Sequence, residues 1–218
     1  MLSLFSNLGY NLPRKSTMLK IFFHPSTIIS TFFWVGKVPV VSGTLGSLIA
    51  FPVWYLLVLR LSLQRGYSGF VAGNLDILSY SLFIIFILFV IGIWSSSIYE
   101  QISGKTDPKE VVIDEVVAQL LVISLSVFLL PYLLAQEVVN FEQHKLNPKF
   151  LLSLLLFLNF VFFRLFDIVK PWPISLVEKK VKGGLGIMLD DIVAAPFAVL
   201  FSFAAEQMIC SLIIKFYI

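Results

Sequence analysis

The sequence is short of charge, cysteine and histidine, and each shortage excludes something. Charged residues make up 13% of the 218, about half the share of a soluble domain, so a water-soluble globular domain is excluded. The net charge of +3 is scattered, with no basic run, which excludes nucleic acid as a partner. A single cysteine, Cys210, excludes an internal disulfide and a paired-cysteine metal knuckle. Cys210 lies in an apolar stretch and is expected in lipid or core. The two histidines, His24 and His144, lie far apart, match no HExxH helix, and are expected in interfacial loops.

Several phosphate-handling motifs are also missing. There is no GxxxxGK[ST] loop and no Asp-x-Asp, which disfavours an aspartyl-phosphate enzyme of the haloacid dehalogenase type. Cys210 has no arginine six residues on, so the cysteine-phosphatase loop is absent. Neither the SGH-like element of histidine-dependent lipid phosphatases nor the D-x2-DG-x2-AR signature of phospholipid head-group transferases occurs.

What is present is apolar surface. Hydrophobic residues make up 58% of the chain and the mean hydropathy is +0.93, the composition of an integral membrane protein. A bilayer core needs about 20 apolar residues in a helix, and five stretches qualify: 42–63, 80–99, 111–135, 150–170 and 190–216. None alternates strictly, as a barrel strand would, so an all-α integral membrane bundle of about five transmembrane helices is expected. The connections QRGYSGFVAGN, EQISGKTDPKE, QEVVNFEQHKLN and PWPISLVEKKVKGGLGIM carry turn signals or charge. Residues 1–41 are expected as an N-terminal interfacial segment of a single domain, 1–218. The apolar stretch 18–35 is broken by His24 and Pro25, and no A-x-A site follows, so a cleaved signal peptide is not expected.

Following five spans through a bilayer gathers the polar residues. The starts of spans 1, 3 and 5 and the ends of spans 2 and 4 share one face. GTLGS (43–47), Glu100, Asp107, Asp114–Glu115, Arg164, Asp167, Lys170 and Asp190–Asp191 all fall there. The sixteen basic residues divide eleven to five in favour of the same face, which predicts that it is cytoplasmic.

Arg164, Asp167 and Lys170 step by three along the end of span 4. The bland reading is an Arg164–Asp167 salt bridge with Lys170 as an anchor; ionisable groups within spans are nonetheless functional by default. Asp114–Glu115 and Asp190–Asp191 are expected to open their helices, where carboxylates also serve as caps. Two such pairs facing a cationic cluster form the inventory for phosphoryl chemistry. Carboxylates hold a hard cation such as Mg²⁺, and Arg and Lys take phosphate oxygens. Gly43, Thr44 and Ser47 fit either a phosphate approaching a helix start or close helix packing. Gly183, Gly184 and Gly186 read as a mobile approach to the site or a simple turn. A rival class is an ion-coupled transporter, which places its charges near the midplane; another is a non-enzymatic membrane subunit, which leaves the acidic pairs without a purpose.

Four stretches carry a resemblance: SGTLGSLIAFPVWYLL (42–57), TDPKEVVIDEVVAQL (106–120), FRLFDIVKPWPI (163–174) and GGLGIMLDDIVAA (183–195). In this order they resemble the bacterial phosphatidylglycerophosphatase A family. The resemblance implies a magnesium-dependent phosphatase of the bacterial inner membrane that converts phosphatidylglycerophosphate to phosphatidylglycerol. It implies Asp114, Glu115, Arg164, Asp167, Lys170, Asp190 and Asp191 as site residues, and Mg²⁺ as the cofactor. Asp114, Asp190 and Asp191 are the expected metal ligands. Arg164 and Lys170, with Gly43, Thr44 and Ser47, are expected on the phosphate, and Glu115 or Asp167 as general base, unless Asp167 only orients Arg164. The partners expected are the phospholipid and the membrane; no obligate protein partner is evident. Ser42 stands where the family usually has proline, and Ala118 where it usually has glycine; neither change removes a charge.

Overall fold

Long apolar runs that cannot hydrogen-bond to water must satisfy their own backbone, and the helix does so within one segment. The computed structural model describes residues 21–39, 41–65, 74–144 and 148–217, and among these there is no strand. Helix α1 is Pro25–Ser30, followed by a 3-10 turn, Val35–Lys37. Then come α2 (Ser42–Arg65), α3 (Leu75–Ser103), α4 (Ile113–His144), α5 (Pro148–Val169), α6 (Ile174–Lys180) and α7 (Gly183–Tyr217). The chain is an all-α membrane bundle. Four segments, Leu75–Ser103, Ile113–Pro131, Lys149–Val169 and Gly183–Ile213, are long and apolar enough to cross a bilayer. The apolar part of α2, Ser42–Val58, is shorter.

Helix α4 is the central element. Its spanning window is 67% buried, against 22% for α3 and 28% for α5. One side of it, Val116, Leu120, Ile123 and Val127, packs with Ile85 and Met188. The other, Ala118 and Val122, packs with Leu155, Phe163, Ala194 and Ala198. The outward faces of α3 and α5 keep Phe83, Phe86 and Phe157 more than 60% exposed, as helices with one face toward lipid do.

Helix ends follow local chemistry. Asn74 caps α3 by accepting from the N–H groups of Asp76 (2.9 Å) and Ile77 (3.2 Å). Gly104, at φ 67°, ends it in the left-handed conformation, its N–H bonded to the Glu100 carbonyl at 3.1 Å. His24 lies in the connection before α1, as expected, and caps that helix: its Nδ1 accepts from the Ser26 N–H at 3.3 Å. Helix α1 has six residues, too few to cross a bilayer. It buries Ser26, Thr27 and Ser30, and its Ser30 carbonyl accepts from Val112 N–H at 2.9 Å, tying it to the start of α4. Cys210 is buried.

Several boundaries differ from expectation; α3 runs Leu75–Ser103 rather than 80–99. Helix α4 runs through His144, so most of QEVVNFEQHKLN is helical; polar residues alone do not end a helix that lacks a Gly or Pro stop. The span ending at Lys170 stops at Val169, because Pro171 disfavours the α region for Lys170; Lys170 takes φ 44°. The last helix begins at Gly183, not Asp190. The glycines before Asp190 are therefore its first turn, neither a mobile approach nor a loop. A Cβ on Gly184 would lie 2.3 Å from the Ile93 carbonyl oxygen, so this glycine lets α7 touch α3. Gly92 answers on α3: a Cβ there would meet Met188 at 2.6 Å.

Candidate active site

Four helices bring their charged residues to one end of the bundle. Asp114 and Glu115 occupy the first turn of α4, as expected of capping positions. Asp190 and Asp191 do not open α7; they lie seven and eight residues inside it, roughly 10 Å from its start at 1.5 Å per residue. Capping cannot explain them. They are 6% and 2% exposed. Asp114 lies within reach of the charges of Glu115, Asp167 and Asp190, and Asp191 within reach of the same three and of Asp114.

Arg164 on α5 stands against two carboxylates. Its Nη1 is 2.6 Å from Asp167 Oδ2 and 3.5 Å from Glu115 Oε1. Both are ion pairs, while Nε has no acceptor. A guanidinium carries five donors, so this buried fork keeps donors to spare. Helix α2 closes over it through Gly43. A Cβ on Gly43 would fall 2.0 Å from Glu115 Oε1 and 2.9 Å from Arg164 Nη2, and one on Gly46 would fall 3.2 Å from Glu115 Oε2. The glycines of GTLGS thus admit a carboxylate and a guanidinium where any side chain would displace them. Ser47 is fully buried and donates to the Gly43 carbonyl at 3.1 Å, so its hydroxyl turns into its own helix; Thr44 is half-buried in the same first turn. Ser42 donates to the Lys109 carbonyl at 3.2 Å, joining α2 to the chain entering α4.

Lys170 separates from Arg164 because the helix has ended. Instead of completing a charged stripe on α5, it turns to α7 and α6, where its Nζ donates to Asp190 Oδ2 and, at 3.3 Å, to Glu178 Oε1. The expected cluster is therefore two groups, each a cation between two acids: Arg164 with Asp167 and Glu115, and Lys170 with Asp190 and Glu178.

Between them are oxygens with nothing to bind. Asp114 Oδ1, Glu115 Oε2 and Asp191 Oδ2 are buried without a hydrogen-bond partner. Such an atom ordinarily costs about 1–3 kcal/mol, and three in one layer mark a place meant for a cation or a donor. Among the described residues no three carboxylate, imidazole or thiol groups converge into a ready-made metal cage. Magnesium does not need one, because one or two carboxylates with waters and phosphate oxygens complete its shell. The donor set fits a hard cation.

Residues 28–206 match the family described as Phosphatidylglycerophosphatase A. The chain belongs to the phosphatidylglycerophosphatase A family. Its relative in Escherichia coli, a phosphatidylglycerophosphatase A, is 30% identical over 171 residues, 78% of this chain and 77% of that protein. A phosphatidylglycerophosphatase A of Haemophilus influenzae is 49% identical over 47 residues, 22% of this chain and 29% of that protein. A putative phosphatidylinositol-3-phosphatase of Bacteroides thetaiotaomicron is 29% identical over 172 residues, 78% of this chain and 87% of that protein. No solved structure matches. This member of the phosphatidylglycerophosphatase A family is a lipid phosphatase, which removes the non-enzymatic reading.

Some buried polar groups of this phosphatase escaped the sequence reading. Ser126 Oγ lies 3.0 Å from Asn159 Oδ1, and Trp54 Nε1 donates to Ser124 at 3.1 Å; both join helices deep in the bundle, as polar pairs do in membranes. Gln119, one turn past Glu115, is fully buried. Glu178, which reaches Lys170, also went unmarked. Its signal was its place in KPWPISLVEKK, five residues after the second proline.

Proposed function

We propose that the protein hydrolyses the terminal phosphate monoester of phosphatidylglycerophosphate, yielding phosphatidylglycerol and phosphate, with Mg²⁺ as cofactor, at the cytoplasmic face of a bacterial inner membrane. Production of phosphatidylglycerol makes it a step in phospholipid biosynthesis. The observation that carries this reading is the layer of orphaned carboxylate oxygens on Asp114, Glu115 and Asp191 beside a guanidinium with unused donors. The names of the Escherichia coli and Haemophilus influenzae relatives support the substrate, and the eleven-to-five division of basic residues supports the side.

Asp114 and Asp191 would hold the metal through their free oxygens, with Asp190 beside them as a further candidate ligand. Bound Mg²⁺ supplies charge neutralisation at the phosphoryl group and acidifies a water. Arg164 takes two phosphoryl oxygens with its planar fork. Asp167, 2.6 Å from Nη1, holds that fork in place, a role better supported than general base. Glu115 accepts the proton of the attacking water at Oε2, the oxygen left without a partner. The water oxygen bonds to phosphorus, the bond from phosphorus to the glycerol oxygen breaks, and Glu115 returns the proton to the departing oxygen. Lys170, freed from Asp190, binds the phosphoryl oxygens and steadies the leaving group. The acyl chains stay in the leaflet, which gives a reason for a phosphatase to be a membrane protein.

The test is phosphate release by purified protein from phosphatidylglycerophosphate in mixed micelles with Mg²⁺. Release is the expected result. No release, with turnover of a phosphatidylinositol 3-phosphate instead, would transfer the substrate to the class named for the Bacteroides relative.

A further inference from the structure

The reaction above leaves one charged region unused. A cavity of about 230 Å³ opens beside Asp190, walled by Glu100 from α3, Asp107, Glu178, Lys182 and the first turns of α7. It shares Asp190 with the catalytic layer, and Lys170 bridges Asp190 to Glu178 at its edge. The volume is far above the space of one water.

The wall is built rather than incidental. Glu100 Oε1 accepts the Asp107 N–H at 3.0 Å. A Cβ on Gly183 would stand 3.8 Å from Glu100 Oε2, so the second oxygen faces the start of α7, across which the cavity lies. Lys182 Nζ is held by the Glu178 carbonyl at 3.0 Å, which uses one of its three donors. Asp107 and Gly183 both adopt left-handed backbone, at φ 49° and 72°.

We propose that this cavity receives the glycerol hydroxyl and diester phosphate of the substrate headgroup, making Glu100 and Lys182 specificity-determining residues. The proposal rests on the lipid-phosphatase reading above. With the terminal phosphate in the Arg164 layer, the headgroup continues through a methylene to a hydroxyl-bearing carbon and, one methylene further, to a second phosphate. A carboxylate accepts from the hydroxyl, and an ammonium pairs with the diester. Phosphatidate, whose phosphate is joined directly to diacylglycerol, has no such hydroxyl. A site built to bond a hydroxyl rejects the analogue lacking it, because its own polar group is left unpaired.

The experiment compares wild-type protein with Glu100→Gln and Lys182→Met on phosphatidylglycerophosphate and on phosphatidate in the same Mg²⁺-containing micelles. The ratio of the two kcat/KM values should fall about tenfold in each variant, the size of one charge-assisted hydrogen bond. Equal fractional losses on both lipids, or an unchanged ratio, would overturn the subsite while leaving the lipid-phosphatase reading intact. Wild-type protein that releases no phosphate from phosphatidylglycerophosphate would overturn that reading, and the subsite with it. If Glu100→Gln does not fold, Lys182→Met decides alone, since its side chain is bonded only to a carbonyl of its own turn.

Discussion

Replacing Arg164 with lysine separates catalysis from stability. Arg164 is 16% exposed, and Glu115 and Asp167 are each 13% exposed at the side chain. Deleting the cation outright would strand two buried carboxylates at a cost of about 3–5 kcal/mol, and lost activity would then report only unfolding. Lysine keeps the charge between Asp167 and Glu115 but has no planar fork. Its compact ammonium cannot bond two phosphoryl oxygens while facing Asp167. Loss of one donor to a developing oxyanion costs about 10²–10³ in rate, roughly 2.7–4 kcal/mol. Arg164→Lys should therefore lower kcat for phosphate release by about two to three orders of magnitude, while the thermal midpoint in detergent changes little. The contrary case is a pair that serves stability alone. Replacing such a pair with apolar residues is often neutral or stabilising by about 1–4 kcal/mol, so Arg164→Leu with Asp167→Leu would fold and still turn over. Near-wild-type phosphate release by that double variant would refute the catalytic role of Arg164.

Gly43→Ala should disable the enzyme without unfolding it. The added Cβ meets the mobile end of Glu115 at 2.0 Å, and alanine favours a helix over glycine by up to about 1 kcal/mol. Turnover should drop about tenfold or more with an equal or higher thermal midpoint; unchanged turnover would mean that the placement of Glu115 is immaterial. Excess EDTA should abolish phosphate release and Mg²⁺ restore it, and full activity in chelator would remove the metal from the mechanism. Asp191→Asn, which removes the charge but little volume, should lower activity by about 10²-fold or more and raise the Mg²⁺ concentration needed for half-activity; an unchanged Mg²⁺ requirement would exclude Asp191 as a ligand. In a Cys210→Ser background, cysteines placed at Ser103 and Ser68 should label from opposite sides of sealed cells, with Ser103 cytoplasmic; labelling from one side would break the proposed topology.

Composition and periodicity alone determined the solvent and the architecture. A chain this apolar has no stable way to expose its backbone in lipid except as helices, so the bundle and the gathering of charged ends at one face followed from hydropathy and order along the chain. Four family motifs located the charged residues. Ends and partners were another matter. Glycine reads as a stop in sequence, but Gly184 lies inside a helix, at a point where the Ile93 carbonyl leaves no room for a Cβ, and only the neighbouring helix carries that information. The same early start moves Asp190 and Asp191 from caps to interior positions. Arg164 and Lys170, three residues from Asp167 on either side, looked like one stripe. The proline after Lys170 ends the helix and sends the two cations to different acids, Arg164 to Asp167 and Glu115, Lys170 to Asp190. Helical spacing along a single strand of sequence predicts which side chains share a face. Which oxygens that face leaves unpaired depends on three other helices, and only their packing decided it.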